Sequence, residues 1–282
     1  MISPRAILLP AAQAARAFRA RLIHRYWARV AGAPMALDDA PILVVAPHQD
    51  DETFGCGGLI ALKRARGATV TVVFVTDGGA SPATGGATPC PAVRAAEARA
   101  ALEILGVPAA STHFLNLSDG HLSTLSPAER DVGVARLADV IRAAAPTSLC
   151  VPHARDCLPD HEATYHLAVG ALERSGRAAT LLQYPVWMAW LSSARALAAC
   201  ARGTARILTL PIHAAVEQKR TAIAKYASQL KTLPHGFVRR FYDASEVYFA
   251  PRDLPGSPDP SSRPATRRLD VVAFVPPAAN PH

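Results

Sequence analysis

Short apolar runs alternate with helix-like stretches through the middle of this chain, and that alternation leaves few folds open. Residues 42–46 (ILVVA) form a fully apolar run with β-branched members, as a strand buried on both faces requires. A helical stretch follows at 58–67 and a second strand at 69–79 (TVTVVFVTDGG). The pattern then repeats: helix 92–106, strand 112–117, helix 126–145, strand 148–152, helix 160–176 and strand 179–187. Ser126 is placed to cap its helix, with Pro127 at the first helical position. Strand–helix–strand units of this length predict a doubly wound, mainly parallel sheet with helices on both faces, an α/β class.

Outside this region the pattern changes. Residues 213–230 read as one long helix and 246–250 as a strand. From 251 to 282 Pro and Ser are frequent, which predicts an irregular tail with one strand at 270–275. Residues 1–36 carry no acid, and RAFRARLIHRYWARV (16–30) places Phe18, Leu22, Ile23, Tyr26, Trp27 and Val30 among arginines. Such a basic amphipathic helix either packs on the flank of the domain, the favoured expectation, or lies on an anionic membrane surface. The boundaries expected are therefore 1–36, 37–250 and 251–282.

A net charge of +8 raises the question of nucleic acid. The arginines are scattered outside the N-terminus, aromatics are few and no nucleic-acid motif is recognisable, so that class is excluded. Five cysteines, odd in number and without a CxxC pair, suit reduced thiols in a cytoplasmic protein. No run is long enough to span a bilayer, and no secretory leader pattern is expected. The remaining location expected is cytoplasmic, including the periphery of the inner membrane.

The chemistry gathers where the first strand stops. APHQDDE (46–52) sets His48, Asp50, Asp51 and Glu52 at a strand's carboxyl end, where open parallel sheets bind ligands. Neighbouring carboxylates repel unless a cation offsets them. His48 and Asp51, three apart in a turn entering a helix, can converge on one ion, and such a catalytic site needs about three protein ligands. The third candidate is His161, which begins the helix after the fourth strand, on the same sheet edge. Asp50, adjacent to a ligand but aimed elsewhere, suits a general base. Glu52 reads as a structural acid of the turn, and Cys157 is disfavoured as a ligand. No G-x-G-x-x-G spacing is present, which argues against a dinucleotide cofactor.

APHQDDE followed by PDH (159–161) resembles the PIG-L/LmbE-like zinc deacetylases. Their first motif usually reads H-P-D-D-E, with Gln49 here in place of Pro, and their second commonly H-P-D-H, with Leu158 here in place of the first His. TDG (76–78), Arg94 and Glu97, LSDG (117–120), YPVW (184–187) and KRTAIAKYASQ (219–229) extend the likeness over roughly residues 40–250. The resemblance implies a Rossmann-like fold and a zinc-dependent hydrolase removing acetyl from an N-acetylglucosamine-type sugar, small or lipid-linked; a metal-dependent hydrolase of another amide or ester, and a sugar- or metal-binding protein without turnover on the same fold, stay open as alternatives. Ferrous iron suits the same donors. His48, Asp51 and His161 are implied as ligands and Asp50 as general base. Arg94 and Asp119 are implied as contacts to substrate hydroxyls, and Asp160 as an orienting acid. His153 is the one residue nearby that could replace the missing histidine at 158.

Overall fold

The computed structural model describes residues 4–80, 90–193, 195–197 and 205–251. The strand expected at 270–275, and the tail around it, lie outside the described residues. Helix α1 (Pro4–Tyr26) runs into one turn of π-helix and a two-residue strand β1 (Ala33–Pro34). There follow β2 (Ile42–Ala46), α2 (Asp51–Ala65), β3 (Val70–Thr76), α3 (Pro91–Ile104) and β4 (Thr112–Leu117). Next come α4 (Pro127–Ala144), β5 (Ser148–Pro152), α5 (Pro159–Ser175), β6 (Thr180–Tyr184) and the single turn α6 (Met188–Leu191). The described chain ends with β7 (Ala205–Pro211), α7 (Val216–Ile223), α8 (Ala227–Leu230) and β8 (Ser245–Pro251).

The eight strands form one sheet in the order β1-β7-β8-β6-β5-β2-β3-β4, parallel except where β8 pairs with β6 and β7. The doubly wound arrangement is therefore present. β2 lies inside the sheet, third from the β4 edge, with Val44 between Val72 of β3 and Cys150 of β5. Every residue of β2 and β3 is buried, in keeping with their largely apolar, β-branched composition. Alternation assigns the faces: Leu43, Val45, Val73 and Val75 pack with Leu137 and Ile141 of α4 and Leu167 and Ala171 of α5. α2 covers the other face and packs against α7.

Two elements differ from the sequence reading. α2 begins at Asp51 rather than at 58, so the glycines lie inside a helix. Their cause is contact with elements far along the chain: a Cβ on Gly55 would stand 2.2 Å from the Tyr184 ring, and one on Gly58 2.6 Å from Ile212. Tyr184 is fully buried and its hydroxyl donates to Val45 O at 2.8 Å, so the ring cannot retreat. Gly55→Ala is expected to lose about 1–3 kcal/mol in denaturant unfolding through overpacking, although Ala is the better helix former by about 1 kcal/mol. An unfolding midpoint equal to wild type would refute that packing account.

The stretch 213–230 is not one helix. It is a 3-10 turn, α7, a tight turn and α8. The break falls where Tyr226, fully buried, turns its hydroxyl inward to the Glu52 carboxylate. Tertiary pull, not a Gly or Pro, ends that helix. At the N-terminus, Trp27 is buried with its ring edge-on to Phe249 at 5.3 Å, and Arg19 donates to Trp190 O at 2.8 Å. β1 adds the edge strand beside β7.

Candidate metal centre

From the β4 edge inward the sheet reads β4-β3-β2-β5-β6. The connections reverse direction between β2 and β5, and a crevice opens outside the carboxyl ends of such a pair. Both candidate motifs leave from these two strands: residues 47–52 after β2, and 153–161 after β5.

The first loop is built to present side chains. Asp50 has φ 143°, a backbone conformation that non-glycine residues rarely adopt. Its carbonyl accepts N–H bonds from Thr53 and Phe54 and so starts α2, while its carboxylate makes no capping bond. Glu52 closes the turn by accepting the Asp50 N–H at 3.1 Å. Glu52 also accepts the hydroxyls of Thr53 and Tyr226, and burial pushes its pKa up to about 7. Gln49 ties the loop to β3, donating to Thr76 O at 2.8 Å.

Three donor atoms converge at the crevice. Asp51 Oδ2 lies 3.1 Å from His48 Nδ1 and 3.3 Å from His161 Nε2. Tetrahedral zinc with ligand bonds of about 2.0–2.2 Å would separate its ligand atoms by roughly 3.3–3.6 Å, close to what is found. His161 Nε2 is buried without a hydrogen-bond partner, an orphan that a metal would satisfy. Each histidine also has a carboxylate behind it. Asp156 lies 2.8 Å from His161 Nδ1, while His48 Nε2 is 3.0 Å from Asp119 and 3.4 Å from Asp160. Carboxylates on the distal nitrogen fix the tautomer and orientation of metal-binding histidines. His48 with Asp119 and Asp160 is a second group of closely spaced donors. The first set has Asp51 oxygen at its centre and the orphan nitrogen, so the second reads as its outer support.

The charge balance points the same way. Asp50, Asp51, Asp119, Asp156 and Asp160 are all buried here. Among the described residues, Arg94 lies 3.7 Å from Asp50 and 3.8 Å from Asp119, and Arg240 interacts with Asp156. Burial alone would lower the His48 pKa, but Asp119, Asp160 and Asp51 together hold it well above the ordinary imidazole value. A divalent ion would supply at this point the positive charge that the surrounding acids favour, and a histidine ligand must be unprotonated at the nitrogen that binds it. Asp50, beside the donor set, has its pKa raised well above the usual carboxylate range by burial and by Asp51. The donors, their supports and the surplus of acid fit a divalent cation.

The remaining candidates fall around this centre. Asp160 accepts N–H bonds from Gly120 at 2.7 Å and Leu122 at 3.1 Å as well as facing His48. Asp119 accepts the Ala80 N–H at 2.9 Å through its other oxygen. Arg94 is buried and donates to Gln49 O and Gly78 O, whereas Glu97, three residues on, accepts from Ser228. Gly78 is needed where the Arg94 side chain passes, since a Cβ there would stand 2.7 Å from its Cδ. His153 does not reach the donors: its Nδ1 accepts the Arg155 N–H, its ring meets Phe249 edge-on, and burial lowers its pKa to about 4.

Asp156 is the residue that sequence reasoning left without a role. It is fully buried, accepts the N–H groups of Val186, Trp187 and Met188, and orients His161. An acid five residues before a candidate ligand, in the loop that leads from β5 to it, was the available signal. Asp156→Asn is expected to weaken metal affinity about 10- to 100-fold, read by titration against a chelating dye. Unchanged affinity would show that His161 needs no orienting partner.

A doubly wound sheet with a His/Asp/His donor set at its switch point defines a class, the α/β proteins arranged to hold a divalent ion beside a free-standing carboxylate. Residues 43–172 match the model of the PIG-L family, described as GlcNAc-PI de-N-acetylase, so that segment is PIG-L-like. No curated protein matches the sequence. Among solved structures, the conserved protein TT1542 from Thermus thermophilus is 27% identical over 80% of this chain and 100% of its own, with TM-score 0.59. N,N'-diacetylchitobiose deacetylase from Pyrococcus horikoshii is 22% identical over 70% of this chain and 72% of its own, with TM-score 0.54. GalB, the 4-carboxy-2-hydroxymuconate hydratase of Pseudomonas putida, is 20% identical over 77% of this chain and 98% of its own, with TM-score 0.57.

Proposed function

We propose that this protein is a zinc-dependent hydrolase that removes the acetyl group from an N-acetylglucosamine-type sugar in a small or lipid-linked glycoconjugate. One observation carries the reading: His48 and His161 share an oxygen of Asp51, while the adjacent Asp50 stands outside that set. A zinc ion held by these three residues supplies Lewis acidity and lowers the pKa of water. Ferrous iron would serve with the same donors.

The chain's own groups do the rest. Asp50 takes the proton of the attacking water and returns it to the leaving amine, giving acetate and a free amine. Its raised pKa reflects a site where a proton is readily accepted. Arg94 lies 3.7 Å from Asp50 and 3.8 Å from Asp119, and Arg94 and Asp119 are assigned to substrate hydroxyls in addition to the loop contacts they already make. Asp160 and Asp156 hold the two histidines. Leu158 is apolar and His153 is engaged by the Arg155 N–H and the Phe249 ring, so the amine's proton is assigned to Asp50.

A second reading is favoured by GalB, which carries the name of a hydratase on this fold. Fold alone does not choose between adding water to an amide and to a double bond. The test is acetate release from a panel of N-acetylglucosamine conjugates, with and without a chelator, beside hydration of an unsaturated carboxylate. Chelator-sensitive acetate release is expected. Hydration without acetate release would replace the proposal.

A further inference from the structure

We propose that α1 and the π-turn after it dock this protein onto an anionic lipid surface. The described helices contain none long and apolar enough to cross a membrane, so the contact is a surface one. Along the outer side of this segment Phe18, Leu22, Tyr26 and Val30 stand four residues apart and are 65%, 49%, 52% and 72% exposed. Four-residue steps put them in one row. They are four of the seven large apolar side chains that are exposed among the described residues. The inner side is already occupied: Ala20 and Trp27 are buried, and Arg19 and His24 bond to the carbonyls of Trp190 and Ser245. The helix is therefore held to the domain, and the apolar row is left outside.

The charge beside that row selects the occupant. Arg21, Arg25 and Arg29 precede Leu22, Tyr26 and Val30 by one residue each and form the neighbouring row. No acid occurs before Asp38. Asp243, 3.8 Å from Arg25, is the ion-pair partner of this segment among the described residues. Next to the row, a cleft of about 380 Å³ is lined by Arg16 and Arg19 of α1 and by Leu191, Ser192 and Ser193 across from them. Leu191 is itself 43% exposed. Exposed apolar side chains bordered by a surplus of arginine match a bilayer with anionic headgroups, where apolar burial and charge attraction add. A second copy of the chain would bring one arginine row against another, and electrostatics disfavours it. This inference does not depend on the chemistry proposed for the metal centre.

The experiment is sedimentation of the full chain with vesicles of phosphatidylcholine alone and with phosphatidylglycerol added, together with gel filtration over a concentration series. Binding is expected only with phosphatidylglycerol, weakening as salt rises. Arg21→Gln with Arg29→Gln should weaken it by about fivefold for each arginine. Phe18→Ser with Leu22→Ser should weaken it about tenfold or more, with the circular dichroism unchanged. Absence of binding, binding equal on neutral vesicles, or retention by both double variants would overturn the proposal. So would a dimer abolished by Phe18→Ser with Leu22→Ser, which would assign the row to a second copy.

Discussion

Asp50→Asn should leave the metal in place and lower acetate release by about 100- to 10,000-fold, the range for loss of a general base. The structure separates this residue from its neighbour although both are buried aspartates. Asp51 Oδ2 lies within 3.3 Å of a nitrogen of each of His48 and His161, whereas the ion-pair partner of Asp50 among the described residues is Arg94, at 3.7 Å. The fold should survive the change. It is the Asp50 carbonyl, not its carboxylate, that begins α2, and Asn keeps the shape of the side chain. Asn also relieves the repulsion from Asp51, a leading cause of Asp50's raised pKa. Asp51→Asn is the contrasting variant, expected to lose metal and activity together. The measurements are metal content per chain and acetate release on the same preparations. Near wild-type turnover in Asp50→Asn would reject the general-base role, and loss of metal would mean that the two aspartates exchange roles.

The legibility of the site in the sequence follows from how local each interaction is. His48, Asp50 and Asp51 lie within four residues, and the strand before them is apolar enough to be recognised, so their convergence could be read directly. His161 needed one further step, the rule that ligands gather at the carboxyl edge of a parallel sheet. Asp119 was harder. The motif resemblance suggested a substrate contact, whereas the position of Asp119, 3.0 Å from His48, depends on a neighbour far earlier in the chain. Asp156 stood in plain view, yet its role comes from three backbone N–H groups at 186–188 that no local pattern announces.

The fold shows the same division. The parallel strands β2, β3 and β5 announce themselves by largely apolar runs, because burial on both faces imposes composition. The glycines of α2 did not announce a helix, since glycine lowers helix propensity and their reason lies at Tyr184 and Ile212. β7 and β1 went unread. β1 has only two residues, and β7 lies against β8, the strand that runs antiparallel to both its neighbours. The seam where the sheet changes direction carries no periodic signal of its own.

His161→Ala is expected to abolish stable metal binding. Apparent free energies of about 10–16 kcal/mol for structural zinc sites, divided among three or four ligands, give roughly 3–5 kcal/mol for each. That corresponds to a loss of about two to four orders of magnitude in affinity. His161 is the donor least able to be replaced, because it is fully buried and its Nε2 has no other partner. The variant carries a second cost: Asp156 loses the ring it orients and keeps only its backbone donors, so some destabilisation will accompany the loss of metal. His161→Gln separates the two effects. Gln can return an N–H toward Asp156 while supplying no imidazole nitrogen to the ion, and should recover stability without recovering metal. Metal content after gel filtration, affinity by dye competition and the unfolding midpoint are measured on both variants. Full stoichiometry and affinity in His161→Ala would remove this histidine from the ligand set, and the group of His48, Asp119 and Asp160 would become the centre to test.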